Sequence, residues 1–143
     1  MSRRLAREIA MQTLFAVDLG HELPEEMLAL LGRQKSLSAP GTVFSKQLVE
    51  GVLTRLVLLD KIIKKYALEW DLERLATIDR NLLRMALFEM IFLPEIPPAV
   101  VINEVLEIAK IYSSSEAPRF INGILGKIIM DLELIRTEQN IGN

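Results

Sequence analysis

The chain has no cysteine, a single histidine, only 6% aromatic residues and no uninterrupted apolar stretch near the length that spans a bilayer. Without cysteine there are no disulfide staples and no thiolate metal sites. With His21 alone, placed in a short polar junction, there is little from which to build a histidine acid–base pair, a multi-histidine metal site or a Ser-His triad. The sequence also lacks a G-x-S-x-G elbow, a Walker loop and a G-x-G-x-x-G turn, so the common nucleophile and nucleotide-binding signatures are missing. An apolar run of about 18 residues is absent, and the N-terminus, MSRRLAREIA, lacks the apolar segment and small-residue cleavage site of a secretory signal. A soluble cytoplasmic protein without metal or cofactor is expected.

What is present is globular: 143 residues, half of them apolar and a quarter charged. That length suffices for one domain over residues 1–143 with a core of its own. The net charge of −2 marks no polyanion binder, so any such argument rests on how charge is distributed. Arg3, Arg4 and Arg7 cluster at one end while the acidic residues are spread from Glu8 to Glu138. A solvated helix end and an RNA-binding patch both fit that cluster.

Apolar residues recur at helical spacing nearly throughout. Over residues 5–17, Leu5, Ala6, Ile9, Ala10, Thr13, Ala16 and Val17 share one arc, the expected buried face. Arg4, Arg7, Glu8, Met11, Phe15 and Asp18 fall opposite, where solvent, a ligand or a second helix layer meets them. Leu23-Pro24 opens a second helix that Gly32 is expected to close, and RQKSLSAPG reads as loop. From an expected cap at Thr42, Phe44, Leu48, Val52, Leu56, Leu59, Ile63 and Tyr66 describe one long, kinked helix. A turn is expected at Trp70-Asp71, and Thr77 is expected to cap the next helix, with Ile78, Leu82, Met85 and Ala86 on its apolar face and Asp79 in its first turn. Glu89 falls on that same apolar face and requires hydrogen-bond partners, backbone or arginine.

PEIPP at 94–98 interrupts the chain, and Pro98 starts another helix, in which Glu107 and Lys110 pair across a turn. SSSEAP is the next loop, with Pro118 in the first turn of a final helix. Ile121, Ile124, Leu125, Ile128, Leu132 and Ile135 form its stripe, which overrides the hairpin signal of Asn122-Gly123. Strand alternation is nearly absent, so the reading is all-α, a compact bundle of about seven helices.

One stretch, RFINGILGKI, sets an interior glycine in a helix at a cost of roughly 0.5–1 kcal/mol relative to alanine. Gly123-x-x-Gly126 mimics a phosphate-clamping loop, but its helical setting rejects that reading. Two others remain. Phe120, Gly123 and Lys127 lie along one edge of the stripe, where a bare glycine lets single-stranded RNA stack on the aromatic and run past the lysine. Alternatively, Gly123 and Gly126 let two helices of the bundle pack closely.

RRLAREIAMQTLF, IDRNLLRMALFEM, IPPAVVINEVLEIAK and RFINGILGKI, in this order, resemble the NusB family of bacterial transcription antitermination factors over residues 3–129. The resemblance implies two packed helical subdomains, no catalysis, and binding of single-stranded boxA RNA in nascent ribosomal RNA transcripts jointly with NusE, a small-subunit ribosomal protein, in an RNA polymerase complex. Position by position, it implies a first RNA-binding element of Arg3, Arg4, Arg7, Gln12 and Phe15. A second comprises Arg119, Phe120 and Asn122, to which the helix edge adds Gly123 and Lys127, and Glu116 is an acidic position opposing phosphate. Asp79, Arg80 and the loop of Pro94, Glu95, Ile96 and Pro97 resemble the region facing NusE. Asn103 and Glu104 are expected to join Glu89 as structural polar residues, anchoring the helix after the proline turn. The family often has a basic residue where this chain has Ala99, and the basic N-terminus is short, which implies stronger dependence on the partner. Two other readings stand beside this one: an RNA-binding module like the N-terminal domain of ribosomal RNA cytosine methyltransferases, against which the chain's end at Asn143 argues, and a structural helical oligomer or homodimer with Met11 and Phe15 at its interface.

Overall fold

A computed structural model describes residues 2–20, 22–68 and 72–139. The junction at His21, the turn expected at Trp70-Asp71 and residues 140–143 lie outside the described residues. Those described form eight α-helices and one 3₁₀ turn, with no strand. They divide between Arg55 and Leu56 into two compact units.

The first unit holds α1 (Ser2–Gly20), α2 (Pro24–Gln34) and α3 (Ala39–Thr54). Helices α1 and α3 supply the buried side chains, among them Ile9, Ala10, Leu14, Leu48, Val49 and Val52, while α2 contributes none that is fully buried. Ala6, Ile9, Ala10 and Thr13 are buried as their arc requires. Met11 is buried as well, so the packing alternative is the correct one for this residue. Phe15 is half-buried.

Helix boundaries differ from the expected ones for local reasons. Helix α2 runs through Gly32 to Gln34. It ends where Leu37 N–H donates to Gly32 O at 2.9 Å and Ser36 N–H to Arg33 O at 3.3 Å, the pairing of a Schellman stop. The left-handed residue of that stop is Ser36, at φ 53°. The loop is therefore only residues 35–38. Ser38, not Thr42, caps α3: its Oγ accepts from Gly41 N–H at 3.1 Å, while the Thr42 hydroxyl donates to Ser38 O at 2.9 Å. Gly41 allows this close turn, because a Cβ there would stand 2.6 Å from Leu37 Cδ1.

The expected long helix is two. Near Thr54 the side-chain hydroxyl donates to Glu50 O at 2.8 Å, and Arg55 closes the helix with φ −117° and ψ 21°. Such back-bonding competes with helix continuation.

The second unit contains α4 (Leu56–Tyr66), a 3₁₀ turn (Leu72–Arg74), α5 (Thr77–Phe92), α6 (Pro98–Tyr112), α7 (Ala117–Met130) and α8 (Leu132–Glu138). Helix α5 is its centre and meets α4, α6, α7 and α8. Asp79 and every residue from Asn81 to Ile91 are buried, so the buried surface of α5 is broader than the arc of Ile78, Leu82, Met85 and Ala86. Thr77 is the first residue of α5 rather than its cap; Ala76 holds that place. Glu89 is fully buried on this central helix and is not left without a partner.

Polar side chains on α5 are tied to their neighbours. Arg84 Nε and Nη2 donate to Asp60 Oδ1 and Oδ2 of α4 at 2.7 and 2.9 Å. Arg136 of α8 donates through Nε and Nη2 to Met90 O at 2.9 and 2.7 Å, satisfying a carbonyl in the last turn of α5. Helix α6 starts at Pro98 and carries the Lys110–Glu107 pair at 2.5 Å. Helix α7 starts beside Pro118 and runs through Gly123, as its stripe requires. Its expected continuation to Ile135 breaks at Asp131 (φ −107°, ψ 10°), which separates α7 from α8. The stripe survives the break, since Ile128, Leu132 and Ile135 are all buried.

Candidate nucleic-acid interface

In the second unit the C-terminal end of α4 and one edge of α7 enclose a groove of about 590 Å³. From α7 come Arg119, Phe120, Gly123, Ile124 and Lys127, with Glu116 at the helix start; from the end of α4 come Tyr66, Ala67 and Leu68. Residues 116, 120, 123 and 127 lie at spacings of three and four, which brings them onto one edge of a helix. Ile121, Leu125 and Ile128, on the other side of α7, are fully buried and hold that edge in place.

A Cβ on Gly123 or Gly126 would meet nothing within 4 Å, so neither glycine serves close packing of helices in this chain, and that alternative is removed. Gly123 is instead an exposed, bare stretch of groove wall between Phe120 and Lys127.

The groove has charge of both signs, with cations in excess. Arg119, Lys127 and Glu116 are exposed, and none of the three forms an ion pair among the described residues. Tyr66 forms the opposite wall with its hydroxyl anchored, donating to Asp131 Oδ2 at 2.6 Å. That hydrogen bond, with burial and the nearby charges of Asp131 and Glu138, pushes the phenol up to about 12. The wall facing Phe120 is therefore an uncharged ring at any ordinary pH. Two aromatic rings, two unpaired cations and a side-chain-free stretch form a surface suited to planar bases linked by anions.

Asn122 is exposed but lies outside the lining of this groove. Tyr66, Ala67 and Leu68 belong to it, though nothing in the α7 stretch points to them. Their one sequence signal is an aromatic following Lys64 and Lys65, and Leu68 stands 84% exposed.

In the first unit, Arg3 and Arg7 converge on Phe44, with guanidinium carbons 4.2 and 5.2 Å from the ring centroid. Arg3 is exposed, whereas Arg7 is only 2% exposed. This corrects the expectation that Arg7 lies on the open face of α1: one helical turn from Arg3, it packs onto the same ring from a buried position. Arg4, Gln12 and Phe15 are half-buried.

Among the residues expected to face a partner protein, Asp79 is buried and accepts a hydrogen bond from Ser113 Oγ at 2.5 Å, and Ile96 is buried too. Neither is presented to a partner; Pro94, Glu95 and Pro97 are exposed and Arg80 half-buried. Asn103 is exposed with no side-chain hydrogen bond among the described residues, so it does not anchor α6. Glu104 is half-buried and partnered.

Residues 4–130 match the NusB family as a whole. The chain belongs to the NusB family. It is 43% identical over 139 residues to the transcription antitermination protein NusB of Heliobacterium modesticaldum, an alignment spanning 97% of this chain and 68% of that one. Among solved structures it is similar to NusB of T. maritima, with a TM-score of 0.83 and 32% identity over 90% of this chain and 91% of that one. It is also similar to a chain in the crystal structure of the antitermination factors NusB and NusE in complex with double-stranded RNA, with a TM-score of 0.82 and 29% identity over 90% and 96% of the two chains. The all-helical fold is thus that of the family, and among the described residues no helix is long and apolar enough to cross a membrane.

Proposed function

We propose that this protein is a cytoplasmic transcription antitermination factor that binds the boxA element of nascent ribosomal RNA transcripts as a single strand, jointly with NusE, and catalyses no reaction. The observation that carries this reading is the groove between α4 and α7, where Phe120 and Tyr66 flank the open stretch at Gly123 and the unpaired cations Arg119 and Lys127 line the rim. Phe120 stacks on a base, Arg119 and Lys127 meet phosphates, and Glu116 disfavours a phosphate at the mouth. In the first unit, Arg3, Arg4, Gln12 and Phe15 contribute contacts, while buried Arg7 supports the Phe44 ring that Arg3 covers. Pro94, Glu95, Pro97 and Arg80 serve the partner protein. The family relation and the solved NusB–NusE–RNA complex support the choice of partners.

The test is fluorescence anisotropy with labelled boxA RNA and a scrambled control, titrated with the protein alone and with NusE, using wild type and Phe120→Ala. Selective binding strengthened by NusE is expected, with Phe120→Ala losing about 1–3 kcal/mol of RNA affinity while circular dichroism shows the helices intact. Equal binding of both RNAs by the wild type overturns the reading.

A further inference from the structure

Tyr66 borders two grooves. Beyond it, α4 and α8 enclose a second groove of about 350 Å³, whose lining includes Lys61 and Lys65 of α4, Glu138 of α8 and Gln139. Tyr66 lines both grooves, so the two adjoin at one aromatic ring. That ring is held by its hydroxyl on Asp131, and Lys65 Nζ lies 5.5 Å from the ring centroid.

Apart from the contact of Lys65 with the Tyr66 ring, the charges of these lysines are not neutralised among the described residues. Lys61 and Lys65 are exposed, and neither forms an ion pair among the described residues. Lys64, also exposed, adds a third positive charge to this end of α4. Against Lys61 and Lys65 the described residues of the groove lining set a single carboxylate, that of Glu138. A lysine pair one helical turn apart, at i and i+4, is destabilising for a helix by itself, and a polyanion laid across it removes that repulsion. Lys61 lies five residues before Tyr66, about 7.5 Å along the helix axis at 1.5 Å per residue. A strand leaving the first groove at Tyr66 therefore meets Lys65 and then Lys61 in succession.

We propose that the RNA strand bound in the α4–α7 groove continues past Tyr66 into the α4–α8 groove, where Lys65 and Lys61 engage the phosphates of nucleotides flanking the recognised element. This rests on the reading of the first groove as an RNA site and extends it. Among the described residues, the second groove offers cations and an aliphatic floor, with no aromatic ring apart from the shared Tyr66. The flanking nucleotides are thus held by their backbone and contribute affinity without sequence preference.

Three RNAs test it, each in the presence of NusE: the boxA oligonucleotide alone, and the same oligonucleotide extended by eight uridines at its 5′ or its 3′ end. They are titrated against the full-length wild type, Lys61→Ala/Lys65→Ala and Lys61→Arg/Lys65→Arg at 50 and 200 mM salt. The wild type should bind one extended RNA more tightly than the short one, with a log–log salt slope steeper by about 1.4, the value for two single-strand phosphate contacts. That advantage should shrink about sevenfold between the two salt concentrations. The alanine pair should erase the advantage and leave the short RNA's affinity unchanged, and the arginine pair should restore it. Equal affinity of the wild type for short and extended RNAs, or an equal loss on all three RNAs in the alanine pair, overturns this inference and leaves the first groove standing. A change confined to NusE affinity overturns it too and assigns the lysines to the protein partner. Failure of the wild type to bind even the short RNA overturns the reading on which it rests.

Discussion

Gly123 gives up helix stability at a position where nothing in the chain requires it, since a methyl group there would meet only open space. Gly123→Ala should therefore raise the stability of the fold by about 0.5–1 kcal/mol, read from urea unfolding, while lowering RNA affinity in the anisotropy assay. A gain in stability with no loss of binding removes Gly123 from the interface. Across the groove, Tyr66 carries its own signature. With the folded phenol at about 12 against an ordinary 10, the Asp131 contact contributes stability that is fully present below pH 10 and lost as the pH rises through 12. Absorbance titration at alkaline pH should show a tyrosine transition near 12 that Tyr66→Phe removes and Asp131→Asn moves toward 10. Unlike Gly123, whose oddity stands out in the sequence, Tyr66 looks like an ordinary member of a helical stripe until Asp131, far along the chain, anchors it.

Among the elements, α5 shows how polar groups are accommodated inside a helical core. Arg84 and Asp60 meet through two parallel hydrogen bonds, with side chains 9% and 22% exposed. Exposed pairs are worth roughly 0–1 kcal/mol, whereas breaking a fully buried pair costs about 3–5. Asp60→Asn, at an intermediate depth, should lose about 2 kcal/mol, measured by urea unfolding with the slope unchanged. A loss under about 0.5 kcal/mol would show the pair to be solvent-screened. The helix junctions follow the same logic of local competition. Ser38 rather than Thr42 caps α3 because its hydroxyl faces the free N–H of Gly41, and helical period alone does not distinguish the two. The apolar stripe likewise passes unbroken over Asp131, because burial repeats on both sides of the turn. Period reports the buried face well and the ends of helices poorly.

For the whole molecule, a net charge of −2 leaves no general attraction for RNA, so salt sensitivity must come from particular unpaired cations. Replacing Arg119 and Lys127 together by alanine should reduce the log–log salt slope of boxA binding by about 1.4 and weaken boxA and scrambled RNA by similar factors. An unchanged slope would place the phosphates elsewhere. Arg7 shows why such cations cannot be chosen from the sequence alone. It lies in the N-terminal cluster with Arg3, yet its side chain is buried against the same Phe44 ring that exposed Arg3 covers.

The sequence by itself determined the all-helical class, the stripe of α7, the start of α6 and α7 at their prolines, and the relation to the NusB family. Each depends on residues close together in the chain, where spacing translates directly into a helix face. Only the tertiary structure decided which arginine is buried, that Gly123 faces open space, and that Tyr66 and Leu68 complete the groove across from Phe120. Those outcomes depend on which surfaces meet after the helices have packed, and residues some fifty positions apart leave no periodic trace of that meeting.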